Sequence, residues 1–291
     1  MFFKKKNKPG LQEEVVLWKA DQSRTKKTEP RERSSRLYNL PVSPDALAGH
    51  GKIYTVQSST KGDGASTIAV NLAALLALSN PERVVLIDLD GYGSIRSRMG
   101  LPADECLVNI LDWEDIHGRD SVRGLYNHSS GIMVVPGVIH HDQEEKVNPA
   151  LIFKMLTLLK ETYDYIILDC PPVGTGNNTW AAALVSDLIV TVFSPDRVSL
   201  DLINVNSGFM ARLGCQDRVC LVLNQAGIPG GIRAGELESR LTDILGIMPY
   251  SVAVAEENNR RRMMVHSRER DDFVKALQVL AKRLPAQGKA V

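Results

Sequence analysis

The stretch 58–67, SSTKGDGAST, decides the fold through what lies on either side of it. Residues 53–57 before it form a strand-like run, and residues 67–78 after it carry apolar side chains at helical spacing. A glycine-rich turn between a buried strand and a helix points successive backbone N–H groups into one concavity, where the positive end of the helix dipole adds to them. The stretch therefore predicts a loop that cradles a polyphosphate, rather than a tight turn with no ligand.

Strand-like runs and helical patterns alternate along the chain from residue 52 onward. The predicted strands are 53–57, 84–88, 132–135, 165–169, 188–193 and 219–223. Their hydrophobicity is continuous, as expected when helices cover both faces of a sheet. We predict an α/β fold with a doubly wound, mostly parallel sheet, in which ligands bind at the carboxyl ends of the strands.

The loop departs from the Walker A pattern at one position. Gly62 and Gly64 allow a close approach of the backbone to phosphate, and Ser66 occupies the position that coordinates Mg²⁺ in Walker A loops. The pattern requires lysine at position 65, where this chain has alanine. Because that lysine neutralises the β- and γ-phosphates during transfer, its absence should weaken hydrolysis more than binding. Lys61 could supply a replacement charge from the other side of the loop.

Acidic residues end two of the predicted strands. Asp88 and Asp90 follow the second strand, and side chains at i and i+2 point the same way, so both could face one Mg²⁺–phosphate unit. Asp169 ends the strand 165–169, with the apolar run typical of Walker B, and could accept from metal-bound water or from Ser66. We predict Ser66, Asp88 and Asp169 as the metal set, and Asp90 and Lys61 as catalytic candidates.

Three segments carry a family resemblance. From residue 52 to about 284 the chain resembles the ParA/MinD group of P-loop ATPases: residues 61–73 match KGGxGKTTxxxNLA, 86–90 match LIDxD and 163–172 match YDxxIIDxPP. The resemblance implies binding of ATP and Mg²⁺ and a homodimer under nucleotide control, with the asparagine of 222–225 on adenine. The implied nucleotide-binding set is Lys61, Gly62, Asp63, Gly64, Ala65, Ser66, Thr67, Asn224 and Pro249.

The altered loop resembles the loops of two more specific groups of proteins. Residues 64–67, GAST, are similar to the GATT form of the CpaE/TadZ branch, which localises pilus-assembly machinery at the cell pole. This implies a positioning factor for a membrane machine, such as a pilus or secretion system, with protein partners from that assembly. The loop is one residue shorter than KGGVGATT, however, and resembles the GEGKST form of bacterial tyrosine kinases without its lysine. A kinase-like domain lacking its catalytic lysine is therefore an alternative, although no tyrosine follows Tyr250.

Charge is unevenly distributed between the start of the chain and the rest. Residues 1–50 hold eleven Lys/Arg against six Asp/Glu, a net charge of +5, whereas the whole chain has +1. We predict a basic, mostly disordered arm over 1–50, a nucleotide-binding domain over 51–285 and a short tail over 286–291. No apolar run reaches the roughly 20 residues that span a bilayer. The expected location is the cytoplasm, with the arm as a weak membrane-surface contact that could hold the protein at the inner face of the membrane or the cell pole.

Three further patterns favour ordinary structural roles. Five arginines within 260–270 could touch DNA phosphates, as in a plasmid or chromosome partition ATPase, but interleaved acids favour a self-paired face, so DNA is not the preferred partner. Residues 271–284 show a narrow apolar stripe that favours packing on the sheet over membrane binding. Four cysteines without CxxC spacing indicate reduced thiols.

Overall fold

The computed structural model describes one compact unit of the chain. The described residues are 45, 47–90, 93–102, 109–116, 118, 122, 125–175, 177–239, 241 and 244–284. The predicted N-terminal arm, apart from residues 45 and 47–50, lies outside them, as does the predicted C-terminal tail. Leu47 is buried, and the backbone N–H groups of His50 and Gly51 donate to the carbonyl of Lys160, so these last residues before the first strand pack on the domain.

Strands and helices alternate along the described residues. The strands are β1 Lys52–Ser58, β2 Val84–Asp88, β3 Tyr126–Asn127, β4 Ile132–Val135, β5 Tyr165–Asp169, β6 Leu188–Phe193, β7 Val219–Ala226 and β8 Ile244–Pro249. The α-helices are α1 Ala65–Ser79, α2 Ser94–Met99, α3 Pro149–Thr162, α4 Asn177–Val185, α5 Arg197–Leu213, α6 Ala234–Glu238, α7 Val252–Asn259, α8 Met264–Ser267 and α9 Asp272–Arg283. Short 3₁₀ helices cover Ile110–Glu114, His141–Lys146 and Gln216–Arg218.

The eight strands form a single sheet in the order β3-β4-β2-β5-β1-β6-β7-β8. All neighbours pair in parallel except β3 and β4, which are antiparallel. The prediction of a doubly wound, mostly parallel sheet is confirmed, and each of the six predicted strands is present. Two edge strands, β3 and β8, were missed. β3 has only two residues, and β8 contains Gly246 and ends in Pro249, residue types that argue against a strand.

Alternation along the strands divides the core between the two sheet faces. Val85 and Ile166 belong to a cluster with α3 and α4, whereas Leu86 and Ile167 belong to another with α1 and α9. All four are completely buried. Because both faces are covered by helices, strand residues of either orientation are apolar, which explains the continuous hydrophobicity of the sequence.

The last helix packs on the sheet, as predicted. α9 buries Phe273, Val274, Leu277 and Leu280. A Cβ at Gly246 of β8 would lie 3.2 Å from Cδ1 of Leu280, so the glycine admits close packing of α9 on the sheet edge. Among the described residues, no helix has both the length and the apolar character required to span a bilayer.

The prediction of reduced thiols is confirmed for the three cysteines among the described residues. Cys170, Cys215 and Cys220 are buried free thiols, while Cys106 lies outside the described residues. Burial raises the pKa of both Cys170 and Cys215, which keeps these thiols protonated and unreactive.

Candidate nucleotide-binding site

The predicted site residues lie along one edge of the sheet, at the carboxyl ends of five strands. β5, which ends in Asp169, lies between β2 and β1. The glycine-rich loop follows β1, while Asn224 and Pro249 lie at the ends of β7 and β8 on the other side. This order places the acids on one flank of the loop and the asparagine on the other.

Gly64 is the residue on which the loop geometry depends. Its φ is +94°, and a Cβ added there would lie 2.3 Å from Nδ2 of Asn224. Asn224 approaches this closely because its Nδ2 donates to the backbone oxygen of Asp63 at 2.8 Å. Only glycine satisfies both the backbone angle and this close approach, so the loop and β7 are locked together.

The Asp63 side chain braces the loop from inside. It is 2% exposed, and Oδ2 accepts from the backbone N–H of Thr60 at 2.7 Å. The Ser199 hydroxyl near the start of α5 lies 3.0 Å from Oδ1 of Asp63 and 3.0 Å from Oδ2 of Asp196. Because its carboxylate is engaged within the protein, Asp63 can offer a nucleotide its backbone only.

The first turn of α1 follows the loop directly. Ala65 begins the helix, and the N-cap residue is Gly64, which has no side chain to cap the N-terminus. The first backbone N–H groups of α1 thus point out of the helix beside the glycine turn, with the positive end of the helix dipole behind them. This arrangement can bind an anion, and Ala65, which is 6% exposed, contributes no charge to it.

The acids form a crowded, buried pair. Asp88 and Asp169 are partners in the β2–β5 register and are 1% and 0% exposed. Burial raises the pKa of Asp88 to about 7, although backbone hydrogen bonds from Ile95 and Asp90 oppose the shift. Burial, reinforced by the charge of Asp88, raises the pKa of Asp169 well above its ordinary value, and the nearby Ser66 hydroxyl offsets part of this.

The pair has the properties of a cation site. Within the described part of the chain, neither oxygen of Asp169 accepts a hydrogen bond of normal geometry. Two adjacent buried carboxylates repel each other unless a proton or a cation lies between them, and oxygen ligands suit Mg²⁺. No cluster of three His, Cys, Asp or Glu side chains fit for a metal occurs among the described residues, so the Ser66 hydroxyl and ligand phosphate oxygens would have to complete the coordination.

The two predicted catalytic residues lie on opposite flanks of the site. The Asp90 backbone N–H donates to Asp88, and Asp90 lines a cavity of about 10 Å³ together with Glu144 and Asn178. Lys61 is exposed and lines a different cavity, of about 400 Å³, that is bounded by Pro195 and other residues after β6 and β7. The fold therefore places Asp90 beside the acid pair and Lys61 on the outer side of the loop.

A third cavity lies beside the loop. Its volume is about 260 Å³, and it brings together the predicted residues Gly62, Gly64, Thr67, Asn224 and Pro249. Lining residues that the sequence analysis missed are Arg98, Gln225, Tyr250, Ser251, Val254, Ala255, Asn258 and Phe273. They belong to segments that no phosphate-binding pattern marks, and only the fold brings them to the loop.

Two of the missed residues contact Thr67 directly. Nη1 of Arg98 donates to the Thr67 hydroxyl at 2.9 Å, and Nδ2 of Asn258 donates to the same oxygen at 3.4 Å. Arg98 comes from α2 and Asn258 from α7. An arginine shortly after an LIDxD segment was the available sequence signal, but nothing in the spacing distinguishes Arg98 from Arg96.

The arginine-rich segment after α7 is partly self-paired, which supports the prediction of a solvated face for Arg260 and Arg268. Nη1 of Arg260 donates to Glu257 at 2.9 Å, and Nη2 of Arg268 donates to Glu256 at 3.1 Å. Arg261 and Arg262 are exposed and line a surface cavity of about 610 Å³ with His266. The acids of this segment thus neutralise part of its positive charge.

The chain is similar to known proteins over the part of this site that contains the loop and the acid pair. The AAA-domain family model AAA_31 matches residues 51–205, more than half of the 291 residues. The sporulation initiation inhibitor protein Soj of Bacillus subtilis (strain 168) is 33% identical over 153 residues, covering 48% of this chain and 57% of that protein. The chromosome partitioning protein ParA of Myxococcus xanthus (strain DK1622) is 31% identical over 140 residues, covering 42% of this chain and 45% of that protein.

The fold matches solved structures more completely than the sequence matches these relatives. The alignments span about half the length of the two curated proteins. The septum site-determining protein MinD of Pyrococcus horikoshii OT3, solved in complex with Mg-ADP, superposes with a TM-score of 0.68 at 20% identity, covering 80% of this chain and 95% of that one. By its AAA-domain match, its relatives and its fold, the chain belongs to the ParA/MinD-type P-loop ATPase family.

Proposed function

We propose that the protein binds ATP with Mg²⁺ at this edge of the sheet and hydrolyses it slowly or not at all. The observation that carries the proposal is the pairing of Asp88 with Asp169: two buried neighbouring carboxylates, one without hydrogen bonds in the described residues, beside a loop built to bind an anion. A cation would relieve the repulsion within this pair, and the neighbouring loop can bind a polyphosphate that would share that cation.

Each part of the nucleotide has a place in this arrangement. The backbone of 62–67 would hold the phosphates, and Ser66, Asp88 and Asp169 would hold Mg²⁺ directly or through water. The side of the cavity of about 260 Å³ that Asn224 and Pro249 line is the place for the base and ribose, and the side with Gly64 and Thr67 lies next to the phosphates. When bound, Mg²⁺ supplies positive charge that neutralises the phosphate oxygens.

Weak hydrolysis follows from position 65. Ala65 offers no charge to the β- and γ-phosphates, so the transition state loses a stabilising contact that binding can do without. Asp90, next to the acid pair, is the candidate for orienting an attacking water. Tight binding without turnover would make the nucleotide a structural ligand that controls a homodimer by favouring one of its states.

For the biological process we propose spatial positioning of a membrane machine, such as a pilus or secretion system. The GAST segment 64–67, similar to the altered loop of the CpaE/TadZ branch, supports this role. Partners would be a second copy of the chain and proteins of the membrane-associated assembly, and the basic residues of 1–50 would add a weak membrane-surface contact.

A second candidate is a plasmid or chromosome partition ATPase that binds DNA without sequence preference. Two observations favour it: the relative from Myxococcus xanthus is named a chromosome partitioning protein, and the exposed Arg261 and Arg262 line a surface cavity. Salt-sensitive retention of DNA that is lost in an Arg261→Ala/Arg262→Ala variant would favour partition over the positioning role.

The proposal is tested by measuring ATP and ADP affinity with and without Mg²⁺, together with turnover and molecular mass in solution. We expect Mg²⁺-dependent ATP binding, little turnover, and a shift from monomer to dimer with ATP. Ala65→Lys should raise turnover, and Asp169→Asn should remove the Mg²⁺ dependence of binding. Absence of nucleotide binding in the wild type would refute the proposal, and brisk turnover that Lys61→Ala abolishes would assign the missing charge to Lys61.

A further inference from the structure

Arg98 is the cationic side chain that α2 brings to the mouth of the loop. Nη1 donates to the Thr67 hydroxyl at 2.9 Å, and Nε donates to Ser94 Oγ at 3.3 Å. The side chain also lines the cavity of about 260 Å³ beside Gly64 and Thr67. Two hydroxyls therefore hold the guanidinium in place at the start of α1, two residues from the position where the Walker pattern has its lysine.

The guanidinium of Arg98 keeps unused donor capacity within the described part of the chain. No carboxylate forms an ion pair with it among the described residues, and Nη2 donates no hydrogen bond there. Arg96 on the same helix differs, since it donates to the carbonyl of Pro102 and lies near Asp88 and Asp112. The positive charge of Arg98 is felt at Asp169, where it lowers the pKa against the larger effect of burial.

The short helix α2 fixes this side chain from both ends. Gly93 and Gly100 flank the helix in the left-handed conformation, with φ of 57° and 65°. Ile95 and Met99 anchor the helix in the core that also contains α1. Because α2 is packed in this way, Arg98 is presented by rigid structure rather than by a loose surface chain.

We propose that Arg98 supplies the cationic phosphate contact that position 65 no longer provides. A guanidinium offers several N–H donors in a fixed plane and binds phosphate oxygens with charge-assisted hydrogen bonds. Lys61 is placed less well for this role, because it is exposed and lines the separate cavity on the outer side of the loop. The inference rests on the proposed function, since it assigns a phosphate contact within the same nucleotide site.

The experiment compares ATP, ADP and adenosine affinity by titration calorimetry on the full chain with Mg²⁺. The variants are Arg98→Ala, Arg98→Lys and the double variant Ala65→Lys/Arg98→Ala. The matched control is Arg212→Ala, which removes an exposed arginine that lies over Phe209 at the far end of α5 from the site. Melting temperatures of all variants establish that they are folded.

We expect Arg98→Ala to weaken ATP binding by about tenfold or more, with adenosine affinity and melting temperature unchanged. Arg98→Lys should keep part of the affinity, and Ala65→Lys should restore it in the Arg98→Ala background, because both side chains would supply the same charge. Arg212→Ala should bind ATP as the wild type does.

Three outcomes would overturn the inference. ATP affinity unchanged in Arg98→Ala would remove Arg98 from the site while leaving the proposed function intact. An equal loss of affinity for ATP and for adenosine that the double variant does not recover would make Arg98 a purely structural residue. Absence of nucleotide binding in the wild type would refute the proposed function itself, a result that the wild-type titration distinguishes from the other two.

Discussion

The two flanks of the site are stabilised in opposite ways. On the loop side, defined by Gly64, Asp63 and Asn224, the contacts close on themselves: Asn224 donates to the loop backbone, and the Asp63 carboxylate accepts from Thr60 with Ser199 beside it. On the acid side, defined by Asp88 and Asp169, two buried carboxylates are neighbours, and neither oxygen of Asp169 accepts a hydrogen bond of normal geometry in the described residues. The loop side is complete without a ligand, and the acid side is not.

This difference separates what the fold needs from what function needs. Buried polar groups normally have partners, and a buried unpaired carboxylate is among the more costly exceptions. The loop side should therefore lose stability when altered, whereas the acid side should gain it. In the absence of nucleotide, substitutions on the two sides are expected to change the free energy of unfolding in opposite directions.

The largest effect is expected from Gly64→Ala. The new Cβ would lie 2.3 Å from Nδ2 of Asn224 at a φ of +94°. We expect the free energy of unfolding to fall by about 3 kcal/mol and nucleotide binding to be lost. Gly62→Ala is the matched control. Gly62 also has a positive φ, of +105°, but no atom lies within 4 Å of the Cβ added there. Equal losses in the two variants, measured by urea unfolding, would show that contact with Asn224 is unimportant.

Asp169→Asn should have the next largest effect, in the opposite direction. The amide keeps the shape of the side chain and removes the charge that burial and Asp88 disfavour. In nucleotide-free protein without Mg²⁺ we expect the free energy of unfolding to rise at pH 8. Urea unfolding measures it, with Asp115→Asn in the partly exposed turn after Ile110–Glu114 as the control. A loss of stability would mean that the acid side is as self-contained as the loop side.

The pH dependence of stability should also show that the ionised acid side destabilises the nucleotide-free protein. The pKa of Asp88 is raised in the folded protein to about 7, so the folded state binds the proton more tightly than the unfolded state does. This contribution is fully present below the unfolded pKa of about 4 and is lost as the pH rises through about 7, at up to roughly 1.4 kcal/mol per pH unit. Between pH 5 and 7.5 the free energy of unfolding, measured by urea unfolding at each pH, should therefore fall less steeply for Asp88→Asn than for the wild type. Parallel curves would contradict the assignment.

The smallest effect is expected from Ser199→Ala on the loop side. The hydroxyl is completely buried and lies 3.0 Å from oxygens of Asp63 and Asp196, so the two carboxylates lose the one O–H donor that they share. We expect a loss of about 1 kcal/mol in the free energy of unfolding and a modest weakening of ATP binding. Ser207→Ala on the exposed part of α5 is the control. Unchanged stability would indicate that the Asp63 brace is held by Thr60 alone.

Much of the fold could be predicted because its signals are short patterns of neighbouring residues. The six central strands are continuous apolar runs, and the glycine-rich segment between β1 and α1 marks the anion-binding turn. β8 and the role of Gly246 were missed, because the packing of Leu280 against the sheet depends on residues more than thirty positions apart. In the site, the acids were found from their position at strand ends, but the burial that raises their pKa depends on β5 lying between β2 and β1.

The sequence by itself determined the fold class, the loop and the strand-end acids, because each follows from the spacing of nearby residues. Only the tertiary structure decided which side chains meet: that Asp88 pairs with Asp169, that Asn224 and Asp63 lock the loop, and that Arg98 of α2 reaches Thr67. The physical reason is that strand order and helix packing set these distances, and neither is encoded in the spacing of residues along the chain.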